Sequence, residues 1–287
     1  MISVLRPALC SLSLALALAL ALALTATGAA LVGPVEAAPA QEESFVIASF
    51  NVLGADHTDG RHGRPGFDSS DVRLDRAIKV LRRTHAAIVG LQEFQRPQHD
   101  RFLARVGDRW AVYSGAEWDT DNSIAWRTDR FAFVEGWSVA VPYFHGNTRY
   151  MPVVGLRALA SDRMVYMMNT HHAADTRGNA SQWRREATRI ERSVTRKLTR
   201  ELNVAVFMTG DMNDRSAFFC PFTRNQVMHS FLGGSNPRNG SCDAPTSGVD
   251  WIFANEYAEL DSPRINRSAL VQATSDHPIV SAHVRLR

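Results

Sequence analysis

At 287 residues, 45% hydrophobic and 21% charged, the chain has the make-up of a folded soluble protein, with material for one large domain or two small ones. A formal charge of +3 and a pI near 9.0 suit an anionic substrate, but exclude a protein that coats nucleic acid by bulk charge alone.

Residues 1–40 follow different rules from the rest. Arg6 precedes a Leu/Ala run from Ala8 to Leu24, small residues and Pro34 follow, and Ala38-Pro39-Ala40 has the A-x-A form of a signal-peptidase site. This predicts a cleaved secretory signal peptide over 1–40, a mature chain starting at Gln41, and a secreted product without a membrane span. The alternative is an uncleaved leader acting as a membrane anchor, because the apolar stretch reaches Gly33 and is long enough to cross a bilayer. Cys10 lies at the start of the apolar run rather than at a cleavage point after it, so no lipoprotein anchor is expected. Removing the leader takes away Arg6 and Glu36 and leaves the charge balance unchanged.

Residues 41–287 show no linker, repeat or low-complexity segment and read as one domain. A strand is predicted at 45–51, then a polar, Gly-rich loop over 54–70 and a helix near 71–84 with Val72, Ala77, Ile78 and Leu81 on one face. A buried strand follows at 87–92, and strand-like runs recur at 123–127, 131–141, 153–159 and 164–170. Trp183, Ala187, Ile190, Val194, Leu198 and Leu202 recur three or four apart, which predicts an amphipathic helix over 179–202. Strands at 204–209, 249–254 and 279–286 complete the chain. Hairpin-like strands alternating with long helices argue for a layered α/β protein with mixed sheets. Once the leader is gone, Cys220 and Cys242 remain as a pair; in an oxidising compartment a disulfide is the default, closing a loop of about twenty residues. Two buried thiols are the alternative.

The polar residues are concentrated at strand ends. Asn51 closes "ASFNVLG", Gln92 and Glu93 close "IVGLQEFQ", and Asn169, His171 and His172 close "MMNTHHAA". Asp211, Asn213 and Asp214 follow the apolar run of "FMTGDMND", Asp250 sits in "SGVDWIF", and Asp276 and His277 in "ATSDHPIV". A single Asp or Asn beside Gly is most often a turn former. The joint occurrence points elsewhere, because active sites of layered α/β proteins gather on the loops leaving one edge of the sheets.

The ordered set S-F-N, L-Q-E, N-T-H, G-D-M-N, V-D and S-D-H resembles the endonuclease/exonuclease/phosphatase superfamily over residues 44–287. That superfamily includes deoxyribonucleases, abasic-site endonucleases, inositol-polyphosphate phosphatases and neutral sphingomyelinases. The fold implied is α/β (α+β), a four-layer sandwich of two packed mixed sheets flanked by helices, with the site at the top of the sheets. The chemistry implied is that of a Mg²⁺- or Mn²⁺-dependent hydrolase acting on phosphate esters. A phosphodiester is anionic, so its hydrolysis needs a cation for the developing charge, a base for water, and donors around the equatorial oxygens. By resemblance the metal falls to Glu93, with Asn51 beside it and Asp276 as a further carboxylate. Asp211 would orient or deprotonate water, Asn213 would donate to the phosphoryl oxygen, and His277 would pair with Asp250, which fixes its tautomer and raises its pKa. His171 would contact phosphate or assist the leaving group, with Arg149 and Asn122 as phosphate-binding residues. His172 should point to the opposite face of its strand, as packing or surface.

Two departures limit the resemblance. Leu53 stands where some members carry a second metal-linked Asp, which weakens any two-metal version. The 54–70 loop, with His57, Arg61, His62 and Arg64, has no obvious nuclease counterpart and reads as a substrate-reading flap or a solvated loop. Substrate class is open at this stage. A nuclease-like phosphodiesterase, with nucleic acid as partner and a monomeric chain, is the leading expectation, and a phosphomonoesterase or sphingomyelinase-type phospholipase the alternative. "FFCPF" (218–222) is a possible membrane-docking hairpin, although Cys220 suggests a stapled, partly buried loop. A catalytically silent binding module would have no physical reason to keep the full acid, amide and imidazole set.

Overall fold

The computed structural model describes residues 43–287 except His62, so the leader and its cleavage site, like His62, lie outside the described residues. Ser44–Asn51 (β1) and Ala86–Gln92 (β2) are buried along almost their whole length, as strands covered on both faces must be, and they pair in parallel. Ser70–Thr84 (α1) makes the crossover between them, and Arg96–Val106 (α2) follows. Trp110–Ala116 (β3) and Asp119–Arg127 (β4) extend one side of this sheet, and Ala258–Asn266 (β11) and Ile279–Leu286 (β12) the other, in the order β11-β12-β1-β2-β4-β3.

The second sheet repeats the plan. Met164–His171 (β7) and Ala205–Asp211 (β8) form its parallel pair, joined by the helix Ser181–Leu202 (α3). Phe131–Pro142 (β5) and Thr148–Ala158 (β6) lie on one side, and Asp250–Ala254 (β10) and His229–Ser230 (β9) on the other, in the order β5-β6-β7-β8-β10-β9. Ser216–Thr223 (α4) and the short Ala269–Gln272 (α5) complete the helices.

The sheets pack face to face through an apolar core in which Phe45 of the first sheet meets Phe131 and Phe207 of the second edge-on, with centroids 5.0 and 5.9 Å apart. A second apolar cluster joins Leu74, Ile78 and Leu81 of α1 and Phe102 of α2 to the outer face of the first sheet. A polar bridge crosses the interior close to the strand ends. Asn169 Nδ2 donates to Leu91 O and Ser123 O, while its Oδ1 accepts from Gln92 and Thr209. Gly90 makes this approach possible, since a Cβ there would stand 2.1 Å from Thr209 Oγ1 and 2.3 Å from Asn169 Oδ1.

The four-layer α/β arrangement is the one expected. The strands that apolar patterning missed, β3, β9 and β11, are all sheet edges. β11 is largely exposed, carries Pro263 and shifts register between Asp261 and Arg264, the marks of a blunted edge. The 218–222 window is helix α4, with Phe218, Phe219 and Phe222 buried and Cys220 paired with Cys242. Those rings are core, so they present no membrane-docking hairpin. Among the described residues no helix is long and apolar enough to cross a membrane.

Candidate active site

Both parallel pairs point the C-terminal ends of their strands to the same rim. Asn51 ends β1, Glu93 directly follows β2, His171 ends β7 and Asp211 ends β8. Register does the rest: His171 and Asp211 are direct partners across the β7/β8 pair, and Asp250, the first residue of antiparallel β10, is the partner of Asp211 on its other side. His277 arrives just ahead of β12, whose antiparallel pairing with β1 brings its start to the same rim. Ser275 fixes that approach: its hydroxyl donates to Asn51 O at 2.6 Å and accepts from His277 N–H at 3.1 Å.

The residues interlock across the seam between the sheets. Asn51 Nδ2 donates to Glu93 Oε1 (2.9 Å) and to Asp211 Oδ2 (3.1 Å). His277 Nδ1 lies 3.0 and 3.2 Å from the two oxygens of Asp250, and its Nε2 lies 3.5 Å from Asp211 Oδ2. His171 Nε2 is also 3.5 Å from Asp211. Asn213 uses its backbone N–H to hold Asp211 and its amide to reach His172 O at 2.9 Å. Leu53, Glu93 and Asn213, on loops that form the site, have φ of 58°, 54° and 47°, a left-handed conformation costly for Leu and Glu.

The charge states follow from these contacts. Burial opposes ionisation of Glu93, but hydrogen bonds from His57, Asn51 and the Gly54 N–H, with the field of His171, hold its carboxyl well below the usual range. Burial likewise opposes the charged form of His277, yet the Asp250 hydrogen bond and the charges of Asp211, Asp250 and Asp276 prevail and push it up to about 10. The proton of this pair therefore sits on the imidazole. His171 is lowered by its complete burial, and burial pushes the Tyr143 phenol up to about 12, so it stays protonated.

The cleft, about 620 Å³, is lined by Glu93, His171, Asp211, Asn213, Asp276 and His277 among others. Asp250 stands behind His277, and Asn51 is fully buried beneath Glu93 and Asp211. Arg149 reaches the cleft, but its guanidinium is shared with Asp119 (3.3 Å) and Asp121 (2.9 Å) and lies over the Tyr143 ring. Asn122 does not line the cleft; it is buried, with neither side-chain polar atom partnered. His172 packs inward as expected, with Nε2 2.9 Å from Glu191 and its ring on Phe218. The 54–70 loop folds over the site, placing His57 Nε2 3.3 Å from Glu93 and ion-pairing Arg64 with Asp276.

Sequence reading missed Arg73 and Tyr143. Arg73, fully buried in α1, donates to the carbonyls of Val52, Leu53, Gly54 and Thr274 and so ties the loop after Asn51 to the loop before Asp276. Its signal was a lone arginine on the apolar face of a helix. Tyr143 and Phe144 stand in the β5–β6 hairpin, where aromatic residues beside Arg149 were the available hint.

Residues 48–277 match the Endonuclease/Exonuclease/phosphatase family. The chain belongs to that family. Its members are phosphoesterase hydrolases that generally use divalent metals. No curated protein matches the sequence. Among solved structures, the chain is similar to an endonuclease/exonuclease/phosphatase family protein of Bacteroides thetaiotaomicron, with TM-score 0.69 at 17% identity over 86% of this chain and 96% of that one. It is similar to the mannosyl-6-phosphatase of the same organism (TM-score 0.64, 17% identity, 84% and 99% covered). It is also similar to D. rerio TDP2 complexed with single-strand DNA product (0.63, 19%, 84% and 98%). At these identities the likeness extends to the fold.

The donor chemistry fits a family metal. Glu93 and Asp276 line the cleft and offer hard carboxylate donors of the kind that suits Mg²⁺ or Mn²⁺, with the Asn51 amide buried against Glu93. Asp211, Asp250 and His277 also bring ligand atoms within 4.8 Å of one another. In that trio the His277 ring lies between the two carboxylates, with Nδ1 3.0 Å from Asp250 and Nε2 3.5 Å from Asp211.

Proposed function

We propose that this family member is a secreted, divalent-metal-dependent phosphoesterase that hydrolyses phosphodiester bonds in the manner of a nuclease. The observation that carries the reading is His277, a cation held between Asp250 and Asp211, beside the Asn51–Glu93 pair. A Mg²⁺ or Mn²⁺ ion held by Glu93, Asn51 and Asp276 would supply the charge neutralisation that a phosphate ester needs.

The chain's own residues account for the rest. Asp211, held by Asn213 N–H and Asn51, is fixed to orient the attacking water and accept its proton. The His277 imidazolium, oriented by Asp250, donates to the phosphoryl oxygen as charge develops there. Asn213 spends one amide N–H on His172 O and keeps a second for the same oxygen. His171 and the protonated Tyr143 serve the leaving-group side, while Arg149 completes the phosphate surroundings. His57 and Arg64 make the 54–70 loop a substrate-reading flap.

Secretion rests on the leader over 1–40, and the Cys220–Cys242 pair is consistent with an oxidising compartment. We propose a monomer. A phosphomonoesterase or phospholipase using the same groups is the alternative, and the burial of Phe218, Phe219 and Phe222 speaks against a bilayer-bound substrate. The test is a panel of plasmid DNA, RNA, bis-p-nitrophenyl phosphate, sphingomyelin and inositol phosphates, with Mg²⁺ or Mn²⁺ and with EDTA. Metal-dependent cleavage of the nucleic acids and the diester is expected. Turnover in EDTA, or of the monoesters alone, refutes the reading.

A further inference from the structure

Beyond the catalytic cleft, α3 carries an arginine stripe that the proposed chemistry does not use. Arg185, Arg189, Arg192, Arg196 and Arg200 recur at three- or four-residue spacing, which sets them along one side of the helix. They line two adjoining grooves of about 550 and 450 Å³ that share Arg189 and Arg192. Arg224 and Arg238 join them from within the loop that the Cys220–Cys242 disulfide closes.

Little on this face neutralises them. The acids in reach are Glu186, paired with Arg189, and Glu201, 4.0 Å from Lys197. Arg185 bonds only the Ser181 hydroxyl, and the Nε atoms of Arg192 and Arg196 are buried without a partner. The Arg192 guanidinium is lowered by burial and then by the like charges of Arg196, Arg224 and Arg200, the signature of cations crowding cations. A folded chain holds such a cluster at a cost unless an anion joins it.

We propose that this stripe is a docking track for the sugar–phosphate backbone of a nucleic acid, leading to the cleft; the choice of nucleic acid rests on the nuclease-like reading above. From Arg185 to Arg200 the helix rises about 22 Å, a span that passes roughly six phosphates of one strand. Arginine predominates over lysine, and its planar fork suits phosphate oxygens. The grooves hold no aromatic residue to stack on bases, so contact is with the backbone and independent of sequence. The exposed large apolar residue on α3 is Leu202, at its far end, which leaves the stripe without the anchors a bilayer surface would use. The track also begins at the cleft. Arg184, beside Arg185, pairs with Asp175 and Asp214, and the adjacent Ala174, Thr176 and Asn213 line the cleft.

The test is binding of a labelled 20-base-pair DNA duplex in EDTA by fluorescence anisotropy, across a range of NaCl concentrations. It compares the full mature protein with the triple variant Arg185→Gln/Arg189→Gln/Arg200→Gln, three exposed positions. The variant should bind at least about tenfold more weakly, with the slope of log affinity against log salt shallower by about 2 to 3. Its melting temperature and its hydrolysis of bis-p-nitrophenyl phosphate should be unchanged. Equal affinity and slope in the two proteins overturn the proposal. So does binding to phosphatidylglycerol vesicles, lost in the variant, by a protein that does not bind the duplex. Duplex bound through the stripe but never cleaved would sink the nuclease reading and leave the track standing. Duplex cleaved with one KM by both proteins would do the reverse.

Discussion

His277 shows how much one side chain depends on its setting. Two carboxylates flank its ring, one at each nitrogen, and they outweigh the burial that disfavours its charge. Replacing it with Ala, or Asp211 with Asn, is expected to lower kcat by at least about a hundredfold while the protein stays folded, the scale on which proton-transfer groups contribute. Steady-state kinetics on bis-p-nitrophenyl phosphate with circular dichroism melts would decide, and near-normal rates in both variants would refute the roles assigned. The same residue has a stability signature. Because its folded pKa is raised above the ordinary 6.5 to about 10, its contribution is fully present below pH 6.5 and is lost as pH rises through about 10. Urea denaturation of the metal-free protein across that range should show wild type and His277→Gln converging at the alkaline end; a constant gap would contradict the assignment.

At the scale of elements, legibility followed burial. Strands β1, β2, β7 and β8 are apolar because they are covered on both faces, and a run of apolar letters shows that directly. The site residues were legible for a related reason: charged and amide side chains placed where such runs stop, in six segments. What could not be read were groups whose meaning lies in distant partners. Arg73 looks like any helix arginine until its donors are seen meeting carbonyls from residues 52–54 and 274. His57 and Arg64 read as loop polarity until Glu93 and Asp276 stand opposite them. Arg73→Leu would strand several buried carbonyls at about 1 to 3 kcal/mol each. It should therefore lower the melting temperature sharply, and Arg73→Lys, which keeps the charge but loses the fork, should recover only part of it. A melting temperature unchanged in Arg73→Leu would show that the loops hold without it.

For the whole molecule, the decisive circumstance is that neither sheet owns the candidate site. Asn51, Glu93, Asp276 and His277 belong to the first sheet and its loops, and His171, Asp211 and Asp250 to the second. The bonds Asn51–Asp211 and His277–Asp250 cross from one to the other. Gly90 sits deeper along the same seam, under the Asn169 bridge. Gly90→Ala would act as a shim: with its Cβ 2.1 Å from Thr209 Oγ1 and 2.3 Å from Asn169 Oδ1, it would prise the two slabs apart by about an ångström from below without touching a reacting group. Activity should fall further than stability does, and the loss should appear in kcat more than in KM, because the halves of the catalytic machinery would each survive but no longer face each other. The alignment of two independently built sheets thus becomes a tunable property of the enzyme, set from its interior.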